Sequence, residues 1–129
     1  MRQSSAPSAE ALSSNVGGVE WVIEAQGCNP GALADRSTLE RTFESIVEAC
    51  ALHPLGKASW HQFPNTGGIT GVSLLRESHL ACHTFPEYGS LCLNVFCCRP
   101  RPDADFEGIL KNALGATAVQ VRRIDRPYA

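Results

Sequence analysis

Reactive side chains crowd between residues 77 and 98: Glu77, Ser78, His79, Cys82, His83, Glu87, Tyr88, Cys97 and Cys98. A carboxylate, a hydroxyl, imidazoles and thiols at this density suit several kinds of chemistry. His79 and His83 with a nearby cysteine make a partial metal-ligand set, but the spacing fixes no third ligand. Cys98 or Cys82 beside His83 is the start of an activated thiol nucleophile. The plainest reading is a solvated polar strand edge, because short motifs often match by chance. In an extended segment His79, Ala81 and His83 share one face, and Ser78, Leu80 and Cys82 share the other. A serine at a turn escapes that alternation.

The elements that must position these groups follow from hydrophobic spacing. Residues 19–25 crowd Val, Trp, Val and Ile into a strand. Cys28-Asn29-Pro30-Gly31 punctuates it. Leu39, Phe43, Ile46, Val47 and Cys50 recur at helical steps, with Asp35 or Ser37 as cap and His53-Pro54 as stop. Strands are expected over 57–63 and 69–75, with the apolar run broken at Arg76-Glu77 and resumed over 79–84. Another follows over 91–98, then a helix over 103–114 closed by Gly115, and a last strand over 118–124. The order reads strand, helix, three strands, helix, strand. Short turns between successive strands call for an antiparallel sheet, and two helices cover one face of it. The expected class is α+β, a two-layer α/β sandwich. Its other face stays open unless a second copy covers it, so a dimer is the expected assembly.

Bulk properties narrow the classes further. The chain has 129 residues, 43% apolar and 19% charged, with a net charge of -2. That suits one domain, over residues 19–129, preceded by a Ser-, Ala- and Gly-rich lead-in over 1–18 that is expected to be disordered. Near-neutral charge gives no basic face for nucleic acid. No apolar run reaches membrane-spanning length and the N-terminus lacks a signal-peptide core, so a cytoplasmic protein is expected. The six cysteines form no paired C-x-x-C knuckles, and no metal is expected. Cys28, Cys50 and Cys92 read as reduced, buried, small hydrophobes.

The segment Glu77-Ser78-His79, then His83-Thr84-Phe85-Pro86-Glu87-Tyr88-Gly89, then a strand ending in Cys98, resembles the bacterial and archaeal S-adenosylmethionine decarboxylase proenzymes. Phe85 stands for their tryptophan. The likeness reaches upstream to Trp60-His61-Gln62-Phe63 and covers most of the chain from about Val19. It implies self-cleavage between Glu77 and Ser78 into residues 1–77 and 78–129. Ser78 attacks the Glu77 carbonyl, an ester forms, and β-elimination leaves dehydroalanine, which hydrolyses to a pyruvoyl cofactor. That group then forms a Schiff base with the substrate amine and accepts the electrons released with CO2. The same likeness makes His83 the proton carrier in processing and Cys98, rather than Cys97, the proton donor in decarboxylation. It makes Phe63 and Glu87 substrate-binding residues and Thr70 a processing assistant. It also implies a homodimer with its sites at or near the interface, and a product that feeds spermidine synthesis.

Three positions depart from the pattern. Arg76 replaces a small polar residue, Asn94 an aspartate, and Arg99 a glycine. One acid is lost and two bases are gained around a site whose expected substrate is itself a sulfonium cation. The alternatives are a pyruvoyl decarboxylase acting on another amino acid, ornithine or arginine, and a non-catalytic homologue that binds or regulates a true decarboxylase.

Overall fold

The computed structural model describes residues 16–129. Most of the expected lead-in, 1–15, lies outside the described residues, and the first strand begins within the rest of it. β1 (Gly17–Gln26) leads into a one-turn helix, α1 (Pro30–Leu33), and then α2 (Arg36–Ala49). Four strands follow: β2 (Ser59–Gln62), β3 (Ile69–Leu75), β4 (Ser78–Phe85) and β5 (Ser90–Cys97). α3 (Phe106–Leu114) and β6 (Ala118–Pro127) complete the chain. The six strands form one sheet in the order β2-β3-β4-β5-β1-β6, and every neighbouring pair is antiparallel.

Two expectations change. Four strands, not three, separate the longer helices, because Arg76-Glu77 is a hairpin loop that returns the chain as β4. Neither loop residue has a positive φ. The Gly or Asn that usually marks so short a hairpin is therefore not required. The third helix, α1, is a single turn, too short to show periodicity. It is capped by Asn29, whose Oδ1 accepts from the Ala32 N–H at 3.2 Å. Asp35, not Ser37, caps α2: its carboxylate accepts from the Thr38 N–H at 3.1 Å and the Thr38 hydroxyl at 2.6 Å. Those two bonds favour the ionised form and hold the Asp35 carboxyl below its ordinary pKa, the side-chain bond most of all.

The core lies on the helix side of the sheet. Trp21 and Ile23 from β1, Leu80 and Cys82 from β4, and Leu93 and Val95 from β5 are buried there. Leu33, Leu39, Phe43, Ile46, Phe106, Leu110 and Leu114 meet them from the helices. Trp21 packs on Phe106 with ring centroids 5.3 Å apart, and Phe43 on Trp60 at 4.7 Å. The Trp60 ring lies flat against Gly71 of the next strand, where a Cβ would sit 2.3 Å from Trp60 Cζ3. Gly71→Ala must displace that ring or its strand. The expected loss is about 1–3 kcal/mol of stability, read by urea denaturation and a shifted tryptophan emission.

Among the described residues, the opposite face of the sheet carries no helix. Val72 and Leu74 are 45% and 67% exposed on it, and Ile124 40%. Among the described residues, no helix is long and apolar enough to cross a membrane.

Candidate active site

The β3–β4 hairpin is pinned on both flanks. The Arg76 N–H donates to the His53 carbonyl at 2.8 Å, and the Glu77 carbonyl accepts from the Cys98 N–H at 2.7 Å. Cys98 directly follows β5, whose last residue Cys97 is the cross-strand partner of Ser78. The Cys98 carbonyl in turn accepts from the Tyr128 hydroxyl at 3.0 Å. The Glu77 carboxylate accepts from Arg99 Nε at 2.9 Å. Sheet register therefore brings Glu77, Ser78 and Cys98 together at one end of the sheet.

Ser78 is 8% exposed and follows the burial alternation of Leu80 and Cys82, so it does not escape the strand pattern. Among the described residues its hydroxyl makes no hydrogen bond, which leaves both its proton and its lone pairs uncommitted. The Glu77 carbonyl is already polarised by a backbone donor. An amide carbonyl held this way, next to a free hydroxyl on the following residue, is arranged for an intramolecular acyl shift.

The thiols separate cleanly. Cys97 is buried, and burial pushes its thiol up to about 11, so it stays protonated at neutral pH. Burial likewise pushes Cys82 up to about 12 and Cys50 up to about 11. Cys82 also faces the core while His83 faces away from it, so the Cys82–His83 nucleophile pair does not form. Cys98 is exposed. Cys92, expected to be buried, is exposed as well, because the alternation of β5 turns it outward with Asn94.

His83 stands on the open face, and its Nδ1 lies 3.0 Å from the Thr70 hydroxyl on the neighbouring strand. Five residues of strand separate it from Ser78, about 16 Å at the usual rise. Phe63 leaves β2 at this same far end, 48% exposed and edge-on to His61 at 4.7 Å. Glu87 is exposed in the one-turn 3-10 helix Pro86–Tyr88 beyond β4. The expected site residues thus form two groups. Glu77, Ser78 and Cys98 sit at one end, and Phe63, Thr70, His83 and Glu87 at the other.

Four contacts had no sequence signal. Tyr128 supports Cys98 from beyond the last strand. His79 stacks on Phe96 at 5.5 Å, and Arg126 lies over the same ring at 5.5 Å. Arg99 is paired with Glu77 rather than left as a free base. Asn94 also finds its reason here: its amide donates to Glu20 Oε2 at 2.9 Å, where an aspartate would oppose a second carboxylate. Among the described residues, no three His, Cys, Asp or Glu side chains gather as a metal site.

Comparison with known proteins places the chain among relatives. A family model described as S-adenosylmethionine decarboxylase matches residues 19–127. The S-adenosylmethionine decarboxylase proenzyme of Picrophilus torridus is 31% identical over 111 residues, covering 84% of this chain and 83% of that one. Proenzyme 2 of Halalkalibacterium halodurans is 34% identical over 107 residues, covering 81% and 82%. The crystal structure of the adenosylmethionine decarboxylase from Aquifex aeolicus superposes with a TM-score of 0.73 at 20% identity, over 89% of this chain and 94% of that one.

Proposed function

Because the chain belongs to the S-adenosylmethionine decarboxylase family, we propose that it is a proenzyme that cuts itself at Glu77–Ser78 and then decarboxylates S-adenosylmethionine, in the cytoplasm, for polyamine synthesis. The observation that carries this is the Glu77 carbonyl held at 2.7 Å by the Cys98 N–H, with the uncommitted hydroxyl of the very next residue, Ser78, beside it.

Ser78 Oγ gives up its proton and attacks the Glu77 carbonyl carbon. The C–N bond breaks, the nitrogen takes a proton, and an ester links Glu77 to Oγ. Negative charge on the carbonyl oxygen during attack is met by the Cys98 N–H. Removal of the Ser78 Cα proton then breaks the Cβ–Oγ bond and releases Glu77 as a carboxylate. Water displaces the nitrogen as ammonia, which leaves a pyruvoyl group at position 78. The residues fit that group, because the serine that becomes it has no competing hydrogen bond to break. When formed, it supplies a carbonyl that captures an amino group and draws off the electron pair left by CO2. Cys98, exposed beside the junction, returns a proton to the substrate α-carbon. Phe63 is the surface for a flat ring, and Glu87 the carboxylate near the sulfonium or its ribose.

His83 and Thr70 serve the site of a partner. About 16 Å of strand keeps His83 from the Ser78 of its own chain. Two open faces paired about an axis running across the strands bring the Thr70–His83 end of one chain to the Glu77–Ser78 end of the other. The exposed Val72 and Leu74 supply apolar surface for that contact. Such a homodimer makes a clear prediction. His83→Ala alone slows cleavage by ~10²–10⁴, the usual worth of a general acid–base group. Co-expression with Ser78→Ala, which supplies an intact His83 across the interface, restores cleavage of the His83→Ala chain. A His83→Ala chain that stays uncut in the mixture sinks the shared-site assignment.

The overall reading is tested by mass under denaturing conditions and by CO2 release. Fragments 1–77 and 78–129, the second with a blocked amino end, and CO2 from S-adenosylmethionine are expected. Release from ornithine or arginine instead would overturn the substrate assignment.

A further inference from the structure

We infer that Arg99 is a positioning residue for self-cleavage: it anchors Glu77 by its side chain so that the scissile carbonyl stays on the Cys98 N–H. The inference rests on the self-cleaving reading above and goes past it, to a residue that the sequence pattern marked only as a departure.

Glu77 occupies the hairpin loop, next to the last registered pair of the β3–β4 ladder, Leu75 with Ser78. Two contacts reach it from consecutive residues just beyond β5. The carbonyl is held by the Cys98 N–H at 2.7 Å and the carboxylate by Arg99 Nε at 2.9 Å. Rotation of the 77–78 peptide away from Cys98 must also carry the Glu77 side chain, and Arg99 resists that. Cys98 is itself steadied by the Tyr128 hydroxyl at 3.0 Å. The grip on the junction is therefore one continuous set of contacts from Tyr128 through Cys98 and Arg99 to Glu77.

The ion pair is exposed, with the Arg99 side chain at 69% and that of Glu77 at 36%. Such a pair contributes little to global stability. Its effect belongs to orientation, where a small misplacement of the reacting carbonyl costs rate rather than fold. The pairing also resolves the charge question raised by Arg99, because Glu77 neutralises it and it adds no net repulsion toward a cationic substrate. After the cut, Glu77 ends its chain with a second carboxylate beside the same guanidinium. The planar fork of arginine can hold that new terminus in place.

The test follows cleavage of freshly made full-length precursor by mass, at low and at high salt. Arg99→Ala is expected to slow cleavage about tenfold, on the order of one charge-assisted hydrogen bond, with an unchanged melting temperature. Arg99→Lys recovers part of the rate, which a purely steric role for the side chain would not predict. Glu77→Gln slows cleavage by a similar factor, and adding it to Arg99→Ala costs nothing further. Raised salt slows the wild type but not Arg99→Ala. Equal rates for Arg99→Ala and the wild type overturn the assignment, as do additive effects of the two substitutions. A wild-type chain that never cuts overturns the self-cleaving reading, and this inference with it.

Discussion

Ser78→Ala is expected to give one uncut chain of 129 residues with no CO2 release above background. Three facts give this prediction its size. The proposed ester cannot form without the hydroxyl, because alanine offers no atom to attack the Glu77 carbonyl. The pyruvoyl group cannot form without the ester, because elimination needs a Cβ–O bond. Decarboxylation then loses its electron sink entirely. The substitution should not harm folding. Ser78 is buried and its hydroxyl has no hydrogen-bond partner among the described residues, so removing it leaves no group newly unpaired. A folded, uncut, inactive protein is therefore expected, and circular dichroism with mass measurement reads both properties on one sample. Cleavage in Ser78→Ala would show that the junction lies elsewhere. Activity from an uncut chain would show that the cofactor has another source.

Cys98→Ala and Cys97→Ala should part company just as sharply. Cys98→Ala is expected to lower kcat by ~10²–10⁴ once the chain is cut, the usual worth of a positioned proton donor. The cut itself should persist, because the bond from residue 98 to the Glu77 carbonyl comes from the backbone N–H, which alanine retains. Cys97→Ala removes a buried sulfur that packs in the core. It should cost about 1 kcal/mol of stability and leave turnover per cut chain near that of the wild type. The two thiols are adjacent in sequence, so only side-chain direction separates them. Cys97 points into the core, where burial holds its thiol up at about 11. Cys98 points to solvent beside the junction. Turnover that falls with Cys97 and not with Cys98 would reverse the assignment.

Much of the fold was legible because its signals are periodic. The stripe of Leu39, Phe43 and Ile46 gave α2, and alternation gave the two faces of β4. The hairpin at Arg76-Glu77 was not legible as a reversal, because a loop with no positive φ needs none of the residues that announce turns. Cys92 is exposed although a cysteine among apolar neighbours looks buried, because only strand register shows which way it points. At the junction, sequence gave the residue types and their order. It could not give the division into two ends of a sheet, since separation along a strand becomes distance only once the segment is known to be extended. Arg99 and Tyr128 reach Glu77 and Cys98 through the folding of distant segments, and no local pattern encodes such pairings.

The hairpin has one more consequence, for chain connectivity. Its loop joins two strands that pair from Thr70 with His83 to Leu75 with Ser78. The proposed cut removes a covalent link at the last pair of this ladder, and the pairing from Thr70 with His83 to Leu74 with His79 stays in place. Folding, however, changes order. Before the cut β3 and β4 meet within one chain, at the millimolar effective concentration that a short connection gives. Afterwards residues 1–77 and 78–129 must find each other by diffusion. The proenzyme refolds at a rate independent of its concentration, whereas the cut protein, once unfolded, refolds at a rate that falls with dilution. The proposed cut thus also makes folding a step best completed beforehand.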